Sequence, residues 1–226
     1  MDYIEKKQVR RDLKFEHPFT MLVAGPTGSG KTVLIRQIIE HNRHTINNLE
    51  GNPKVLWCYG IYQKIYDVPI PNVTIEYYEG LPLEEYLKKY KYDIVVIDDL
   101  MTDIKKDVEV EKLYTRCSHH AGISMIFTVQ NLFKNYIRTI SLNCHYIILT
   151  KNPRDKSQID HIGRQVFGKG KLSYLREVYE DATSTRYGYL IIDTSNNLED
   201  DEQEYRLRTN ILPVSGVVHQ ISYPSK

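Results

Sequence analysis

The feature that most constrains this chain is a glycine-rich sequence, GPTGSGKT, at residues 25–32. An apolar segment at residues 19–24 precedes it, and a helical pattern at residues 33–39 follows it. A strand, a glycine loop and a helix in this order are typical of a P-loop, in which backbone N–H groups and the helix N-terminus bind phosphates. A glycine-rich hairpin with an incidental lysine, the alternative, does not predict this flanking strand and helix. The sequence therefore predicts a site for a nucleoside triphosphate.

The residue types of the loop suit the binding of a triphosphate and a metal ion. Glycines let the backbone turn tightly and approach the phosphates closely. Lys31 would reach the β- and γ-phosphates, and the hydroxyl of Thr32 would be a ligand of Mg²⁺. We therefore expect ATP and Mg²⁺ as cofactors. The predicted nucleotide-binding residues are Gly25, Pro26, Thr27, Gly28, Ser29, Gly30, Lys31 and Thr32.

Two later apolar segments end in polar residues that fit the same chemistry. Residues 94–97 are Ile and Val, and Asp98 and Asp99 follow them in a Walker B pattern. Asp98 would hold Mg²⁺ through water, and Asp99 would orient or deprotonate the attacking water. Another buried strand, residues 123–129, ends at Gln130, whose amide would sense the γ-phosphate and hold the lytic water. Plain turns at the ends of buried strands are the alternative, but α/β folds place ligands at this edge.

Composition limits the cellular setting and the partners. Lys and Arg number 30 against 29 Asp and Glu, so any contact with DNA would come from local basic patches. The three cysteines are scattered and form no CxxC pair, which indicates a reducing compartment without disulfides or a zinc site. No apolar run approaches the ~20 residues of a membrane span, and no signal-peptide core is found. We expect an intracellular protein with no membrane span that is not secreted.

The other patterns along the chain predict one α/β domain. Apolar segments near residues 55–59, 73–78, 144–150 and 187–193 alternate with helical patterns, one of them over residues 169–182. Such alternation predicts a mostly parallel central sheet flanked by helices. We divide the chain into a charged N-terminal arm (1–17), a P-loop ATPase domain (18–193) and a C-terminal tail (194–226). The arm is either solvated or an edge strand, or it docks on a neighbouring subunit.

Walker A, a Walker B that ends in two aspartates, and a strand that ends in Gln130 together resemble the FtsK–HerA superfamily of DNA-pumping ATPases. Several stretches are more similar to the genome-packaging ATPases of Polinton (Maverick) elements and adintoviruses, relatives of the poxvirus packaging ATPase. The most specific are QNLF at residues 130–133 and KNPRDKSQ at residues 151–158. The others are residues 18–20, 57–60, 79–82, 118–120, 138–143 and 208–210.

This resemblance implies a RecA-like sheet with an additional strand and a hexameric or pentameric ring around double-stranded DNA. ATP would lie between subunits, and a neighbour's arginine, Arg138 or the slightly favoured Arg154, would complete each site. The turn that holds Arg154 could equally contact DNA phosphates.

The resemblance also implies capsid or portal-vertex proteins as partners, at the virion assembly site in a host cell. Many members carry Asp-Glu at Walker B, whereas Asp99 is one methylene shorter. Candidate DNA contacts are Lys105, Lys106, Lys134 and residues 169–171.

We therefore interpret the chain as an ATP-driven translocase that packages double-stranded DNA of a viral or virus-like genome into a capsid. One alternative is a P-loop nucleotide kinase, which would need an arginine-rich lid that is not evident in the sequence. Another is a nucleotide-gated virion assembly protein with little hydrolysis, which would have no use for Asp99 and Gln130 as a water-positioning pair. Stimulation of ATP hydrolysis by DNA would separate the first interpretation from the other two.

Overall fold

The structure is a computed structural model that describes residues 4–8, 13–100, 122–130, 132, 140–154, 157–195 and 206–224. Its helices are α1 (Lys31–Glu40), α2 (Asn42–Thr45), α3 (Glu84–Tyr90), α4 (Ser157–Val166) and α5 (Leu172–Ala182), with 3₁₀ turns at Lys64–Asp67 and Lys169–Lys171. Its strands are β1 (Lys7–Gln8), β2 (Phe15–Glu16), β3 (Thr20–Ala24), β4 (Ile46–Asn47), β5 (Lys54–Tyr59), β6 (Thr74–Glu79), β7 (Ile94–Asp98), β8 (Ser124–Val129), β9 (Tyr146–Thr150), β10 (Tyr189–Asp193), β11 (Leu207–Thr209), β12 (Pro213–Val214), β13 (Val217–Val218) and β14 (Ile221–Ser222).

Ten of the strands form one sheet in the order β1-β14-β11-β10-β9-β3-β8-β7-β5-β6. The strands from β9 to β6 in this order are parallel to one another. The remaining four are added antiparallel at the β9 side. Strand β8 lies between the P-loop strand β3 and the Walker B strand β7, so an additional strand separates them. The predicted α/β P-loop fold with a mostly parallel sheet is confirmed.

The central strands are apolar throughout because both faces of the sheet are covered. Successive residues of a strand point to opposite faces. Met21 and Val23 pack with α1 in one hydrophobic cluster, whereas Leu22 and Ala24 pack with α3, α4 and α5 in the other. This explains the continuous apolar segments of the sequence, which are typical of buried parallel strands. No helix in the described ranges is long and apolar enough to cross a membrane.

The segments predicted as an arm and a tail both add strands to the main sheet. From the arm, β1 pairs with β14 at the sheet edge, and from the tail, β11 pairs with β10. A buried ion pair joins β11 to β10: Arg208 Nη2 of β11 lies 3.0 Å from Asp193 Oδ2 at the end of β10. Of the strands within residues 206–224, β11 and β14 therefore join the sheet that contains the P-loop strand, whereas β12 and β13 form a separate two-stranded sheet.

The helix predicted over residues 169–182 is shorter in the structure. Residues Lys169–Lys171 form a 3₁₀ turn, and the α-helix α5 begins only at Leu172. Gly168, at φ 71°, and Gly170 lie in this stretch. Because glycine is a poor helix former, these two residues favour a turn before the regular helix.

Candidate nucleotide-binding site

The P-loop connects the end of β3 to the start of α1, and its glycines are needed for two different reasons. Gly28 (φ 79°) and Gly30 (φ 93°) adopt left-handed conformations, which favour glycine. Gly25 is needed for space, because a Cβ there would lie 1.8 Å from Thr150 Oγ1. α1 begins directly after Gly30, so the first N–H groups of this helix, which have no intrahelical acceptors, are directed at the loop.

Lys31 lies in the loop with its charge held by backbone oxygens. Its ammonium donates hydrogen bonds to the carbonyl oxygens of Gly25 at 2.7 Å and Pro26 at 3.0 Å. Burial lowers the pKa of Lys31, and the nearby charges of Asp99 and Asp98 oppose that shift. A buried cation is costly unless an anion is near. The β- and γ-phosphates of a nucleotide would supply such an anion.

Asp98 is buried at the end of β7, and three hydroxyl groups fix its carboxylate. Thr32 Oγ1 donates to Oδ2 at 3.0 Å, Thr128 Oγ1 donates to Oδ1 at 2.8 Å, and the Tyr66 hydroxyl donates to Oδ2 at 3.2 Å. Burial and the Asp98 charge raise the pKa of Tyr66, so its hydroxyl stays protonated. Of these groups, Tyr66 and Thr128 were not predicted from the sequence.

The Thr32 and Asp98 oxygens fit a magnesium ion. Mg²⁺ prefers oxygen ligands at about 2.1 Å in an octahedron, so two neighbouring ligands lie about 3 Å apart. The 3.0 Å between Thr32 Oγ1 and Asp98 Oδ2 agrees with this spacing. In the described part of the chain, no group of three or more His, Cys, Asp or Glu side chains is placed to bind a metal alone. Phosphate oxygens and water would therefore complete the coordination.

Asp99 and Gln130 are brought together as the sequence predicted. β7 and β8 are adjacent parallel strands, and Gln130 Nε2 donates to Asp99 Oδ2 at 2.9 Å and to Oδ1 at 3.2 Å. The Asp99 backbone N–H donates to Thr128 Oγ1 at 2.9 Å, and its φ of 51° turns the chain sharply after β7. The two side chains are thus adjacent and exposed beside the buried Asp98. Their roles in hydrolysis stay predictions.

A cavity of about 530 Å³ lies over the P-loop. Residues 27–32, Asp98 and Asp99 line it, and so do Thr150, Tyr187 and Leu212. Its volume lies within the range of about 300–1,000 Å³ that is usual for small-molecule sites. Six of the eight predicted nucleotide-binding residues, 27–32, therefore border one cavity together with both aspartates.

Arg154, one of the two predicted arginines, does not line this cavity. Arg154 lies in the exposed turn after β9, where its backbone N–H donates to Asn152 Oδ1 at 3.1 Å. β9 is adjacent to the P-loop strand, so Arg154 lies at the same edge of the sheet as the site, but it does not line the cavity of its own chain. Arg138 lies outside the described residues, as do Lys105, Lys106 and Lys134.

No protein-family model matches the sequence, and no curated protein is recognisably similar to it in sequence. Among solved structures, the genome packaging NTPase B204 of Sulfolobus turreted icosahedral virus 2, in complex with sulfate, is 14% identical, with a TM-score of 0.50 over 78% of this chain and 92% of B204. B204 from Sulfolobus turreted icosahedral virus, a DNA-packaging ATPase, is 14% identical, with a TM-score of 0.48 over 78% and 93%. The Legionella pneumophila ATPase DotB is 14% identical, with a TM-score of 0.42 over 75% and 54%.

At this level of identity the likeness concerns the fold. Together with the loop geometry and the sheet order, it defines the chain as an α/β protein of the P-loop NTPase fold.

Proposed function

We propose that the protein is an ATP-driven translocase that packages double-stranded DNA of a viral or virus-like genome into a capsid. One observation carries the catalytic part of this proposal. Hydrogen bonds join Thr32 of α1 to Asp98 of β7, and Gln130 after β8 to Asp99, beside one cavity. This arrangement provides, at neighbouring positions, a metal site and a polar pair for the attacking water. The packaging part is supported by the fold shared with B204 and by the sequence stretches named above.

In this proposal the chain's own residues bind and orient the reactants. The P-loop amides and Lys31 hold the triphosphate, and Thr32 and Asp98 hold Mg²⁺, directly or through water. The ion would neutralise charge on the phosphate oxygens. Asp99 already accepts hydrogen bonds from Gln130, so a water between the Gln130 amide and the Asp99 carboxylate would be held and polarised by both.

A ring of subunits would complete the site. Transition-state charge on a γ-phosphate is commonly neutralised by an arginine, an effect of about 10³–10⁵ in rate. Arg154 is exposed at the correct edge of the sheet yet does not line its own chain's cavity, which supports a role across a subunit interface. Arg138 is the other candidate. We propose a hexamer or pentamer around DNA that acts with capsid or portal-vertex proteins at the assembly site in a host cell.

The test is ATP hydrolysis by the oligomer isolated by size-exclusion chromatography, with and without linear double-stranded DNA. Lys31→Ala is the inactive variant, and Lys89→Ala, which removes an exposed lysine of α3, is its matched control. We expect DNA to stimulate hydrolysis in the wild type and the control but not in Lys31→Ala.

Two results would contradict the proposal. ADP formation that is unaffected by DNA and occurs only when a nucleoside monophosphate is added would indicate a kinase. Tight ATP binding without turnover under any condition would indicate a nucleotide-gated assembly protein.

A further inference from the structure

The cavity over the P-loop extends across several strands, and its two sides differ in chemistry. In the sheet order, β7 with its aspartates lies on one side of the P-loop strand β3, and β9 and β10 lie on the other. β10 runs antiparallel to β9, and Tyr189 pairs with Thr150. The residues just before β10 therefore lie at the same sheet edge as the P-loop. Tyr187 is one of them, and it lines the cavity.

The orientation of a bound nucleotide follows from this arrangement. The γ-phosphate of a bound nucleotide would lie near Asp98, Asp99 and the Lys31 ammonium, because the proposed metal and water sites are formed by these residues and their partners. The α-phosphate and the nucleoside then extend away from β7, along the start of α1 and toward β10. The cavity-lining residues on the β10 side of the sheet are Tyr187 and Tyr189, and Leu212 lines the cavity as well.

Tyr187 is placed as a binding surface and not as part of the hydrophobic core. Tyr187 is 56% exposed, whereas Tyr189, two residues later, is 6% exposed. The ring packs against the P-loop, since a Cβ on Gly30 would lie 2.9 Å from Tyr187 Cδ1. The Arg186 guanidinium lies 4.9 Å from the ring centroid, and its Nη2 donates to the Tyr187 hydroxyl at 3.1 Å. These contacts place the exposed ring beside the P-loop.

We infer that Tyr187 stacks on the nucleotide base, with Leu212 on the same side of the cavity. This inference rests on the proposed binding of a nucleoside triphosphate and adds the residue that holds its base. Every base has a π-face, so stacking on an aromatic ring gives affinity with little selectivity among bases. Tyr187 therefore contributes to the binding of ATP and GTP alike and contributes nothing to the binding of the phosphates.

The test compares a nucleotide with a ligand that has no base. Binding of the magnesium complexes of AMP-PNP, GMP-PNP and inorganic tripolyphosphate is measured by calorimetry on the full chain. The variants are Tyr187→Ala, Tyr187→Phe, which keeps the ring, and Tyr187→Leu, which keeps apolar bulk without it. Tyr90→Ala is the matched control, since Tyr90 is an exposed tyrosine at the end of α3 and does not line the cavity.

We expect Tyr187→Ala and Tyr187→Leu to weaken both nucleotides by about tenfold to a hundredfold. Tripolyphosphate affinity should stay within about twofold of the wild type, and Tyr187→Phe and Tyr90→Ala should bind all three ligands normally. A loss of tripolyphosphate affinity equal to the loss of nucleotide affinity would overturn the inference, because Tyr187 would then shape the P-loop through Gly30. Unchanged nucleotide affinity in all variants would overturn it as well.

The same experiment separates this inference from the proposed function. If the wild type binds neither nucleotide nor tripolyphosphate, nucleotide binding itself is refuted, and the base site with it. If the wild type binds AMP-PNP no more tightly than tripolyphosphate, triphosphate binding stands and only the base site is refuted. If Tyr187→Ala does not fold, the comparison of Tyr187→Phe with Tyr187→Leu carries the same test.

Discussion

The two edges of the parallel strands both carry buried or partly buried polar side chains, but these side chains have different partners. At the amino edge, Asp93 Oδ2 accepts the Lys54 backbone N–H at 2.7 Å. Ser124 Oγ accepts the Phe19 backbone N–H at 3.1 Å. At the carboxyl edge, Asp98 instead accepts hydrogen bonds from side-chain hydroxyls beside a cavity.

This comparison shows that burial alone does not mark a functional residue. Ser124 is 0% exposed and Asp98 is 3% exposed, so the two edges cannot be told apart by depth. At the amino edge the side chains satisfy backbone groups of neighbouring strands, which is what the fold itself requires. At the carboxyl edge the Asp98 carboxylate accepts its hydrogen bonds from three side-chain hydroxyls beside a cavity. We therefore expect substitutions at the amino edge to change mainly stability and substitutions at the carboxyl edge to change mainly ligand binding and hydrolysis.

The largest expected effect comes from Lys31→Ala at the carboxyl edge. Loss of the only side-chain cation of the P-loop should lower ATP hydrolysis by about 10³-fold or more, as expected for lost transition-state electrostatics. Stability should not fall, because burial lowers the pKa of Lys31 and its charge is therefore costly in the folded chain. Hydrolysis rates and chemical denaturation measure the two quantities. A clear loss of stability would contradict the assignment of the carboxyl edge to ligand binding rather than to folding.

Asp99→Asn should have the next largest effect. An amide cannot accept the proton of the attacking water, and a missing general base costs about 10²–10⁴-fold in rate. The affinity for Mg·ATP should remain within a few fold, because Asp98 and Thr32, the proposed metal-binding residues, are unchanged. Single-turnover hydrolysis and equilibrium binding separate the two quantities. Equal losses of rate and of affinity would show instead that Asp99 helps to bind the nucleotide.

At the amino edge, we expect Ser124→Ala to lower stability and to leave nucleotide binding unchanged. It leaves the buried Phe19 N–H without its acceptor and should reduce the free energy of unfolding by about 1–3 kcal/mol. Nucleotide affinity should stay within about twofold. The matched variant is Thr128→Val, near the other end of the same strand, which removes a hydrogen bond to Asp98 and should lower hydrolysis. Denaturation and ATPase assays on both variants test whether Ser124→Ala lowers mainly stability and Thr128→Val lowers mainly hydrolysis.

The two edges also differ in how far the sequence predicts them. Asp98, Asp99 and Gln130 were found because each follows a long apolar segment, and parallel strands place such ends together. Ser124 and Asp93 occupy equivalent positions at the starts of strands, but no motif distinguishes them from ordinary polar residues. The fold class was predictable for the same reason, since long buried strands give a strong signal.

Other parts of the fold and site were not predictable because they depend on tertiary contacts. Tyr66 contacts Asp98 from a single 3₁₀ turn, and Tyr187 lines the cavity from the segment before β10, so no periodic pattern predicts where these side chains point. β11 and β14 have three and two residues, too few for a periodic pattern, so residues 194–226 were interpreted as a tail. Thr128 left one signal that could have been used, a hydroxyl between two apolar residues near the carboxyl end of β8.

Tyr66→Phe should have a smaller effect at the carboxyl edge. It removes one of the hydroxyls that fix Asp98 while Thr32 and Thr128 retain theirs. Loss of a hydrogen bond of about 1 kcal/mol corresponds to about a fivefold lower rate. The maximal rate should fall and the dependence on Mg²⁺ concentration should shift upward. A rate equal to the wild type at all Mg²⁺ concentrations would show that Tyr66 does not position Asp98.

The smallest expected effect is a pH dependence at the amino edge. His17 Nδ1 lies 2.7 Å from Ser124 Oγ, and burial lowers the pKa of His17 below 6.5 although the charge of Asp93 opposes the shift. The unfolded chain therefore takes up a proton at this residue before the folded chain does, so stability falls as the pH drops through 6.5. The difference in unfolding free energy between the wild type and His17→Gln, measured by denaturation at several pH values, should decrease from pH 7.5 to pH 5.

Because His17 lies at the opposite edge from the P-loop, the affinity for a nucleotide should show no matching difference between the two proteins. A larger effect on nucleotide binding than on stability would contradict the assignment of this edge to folding.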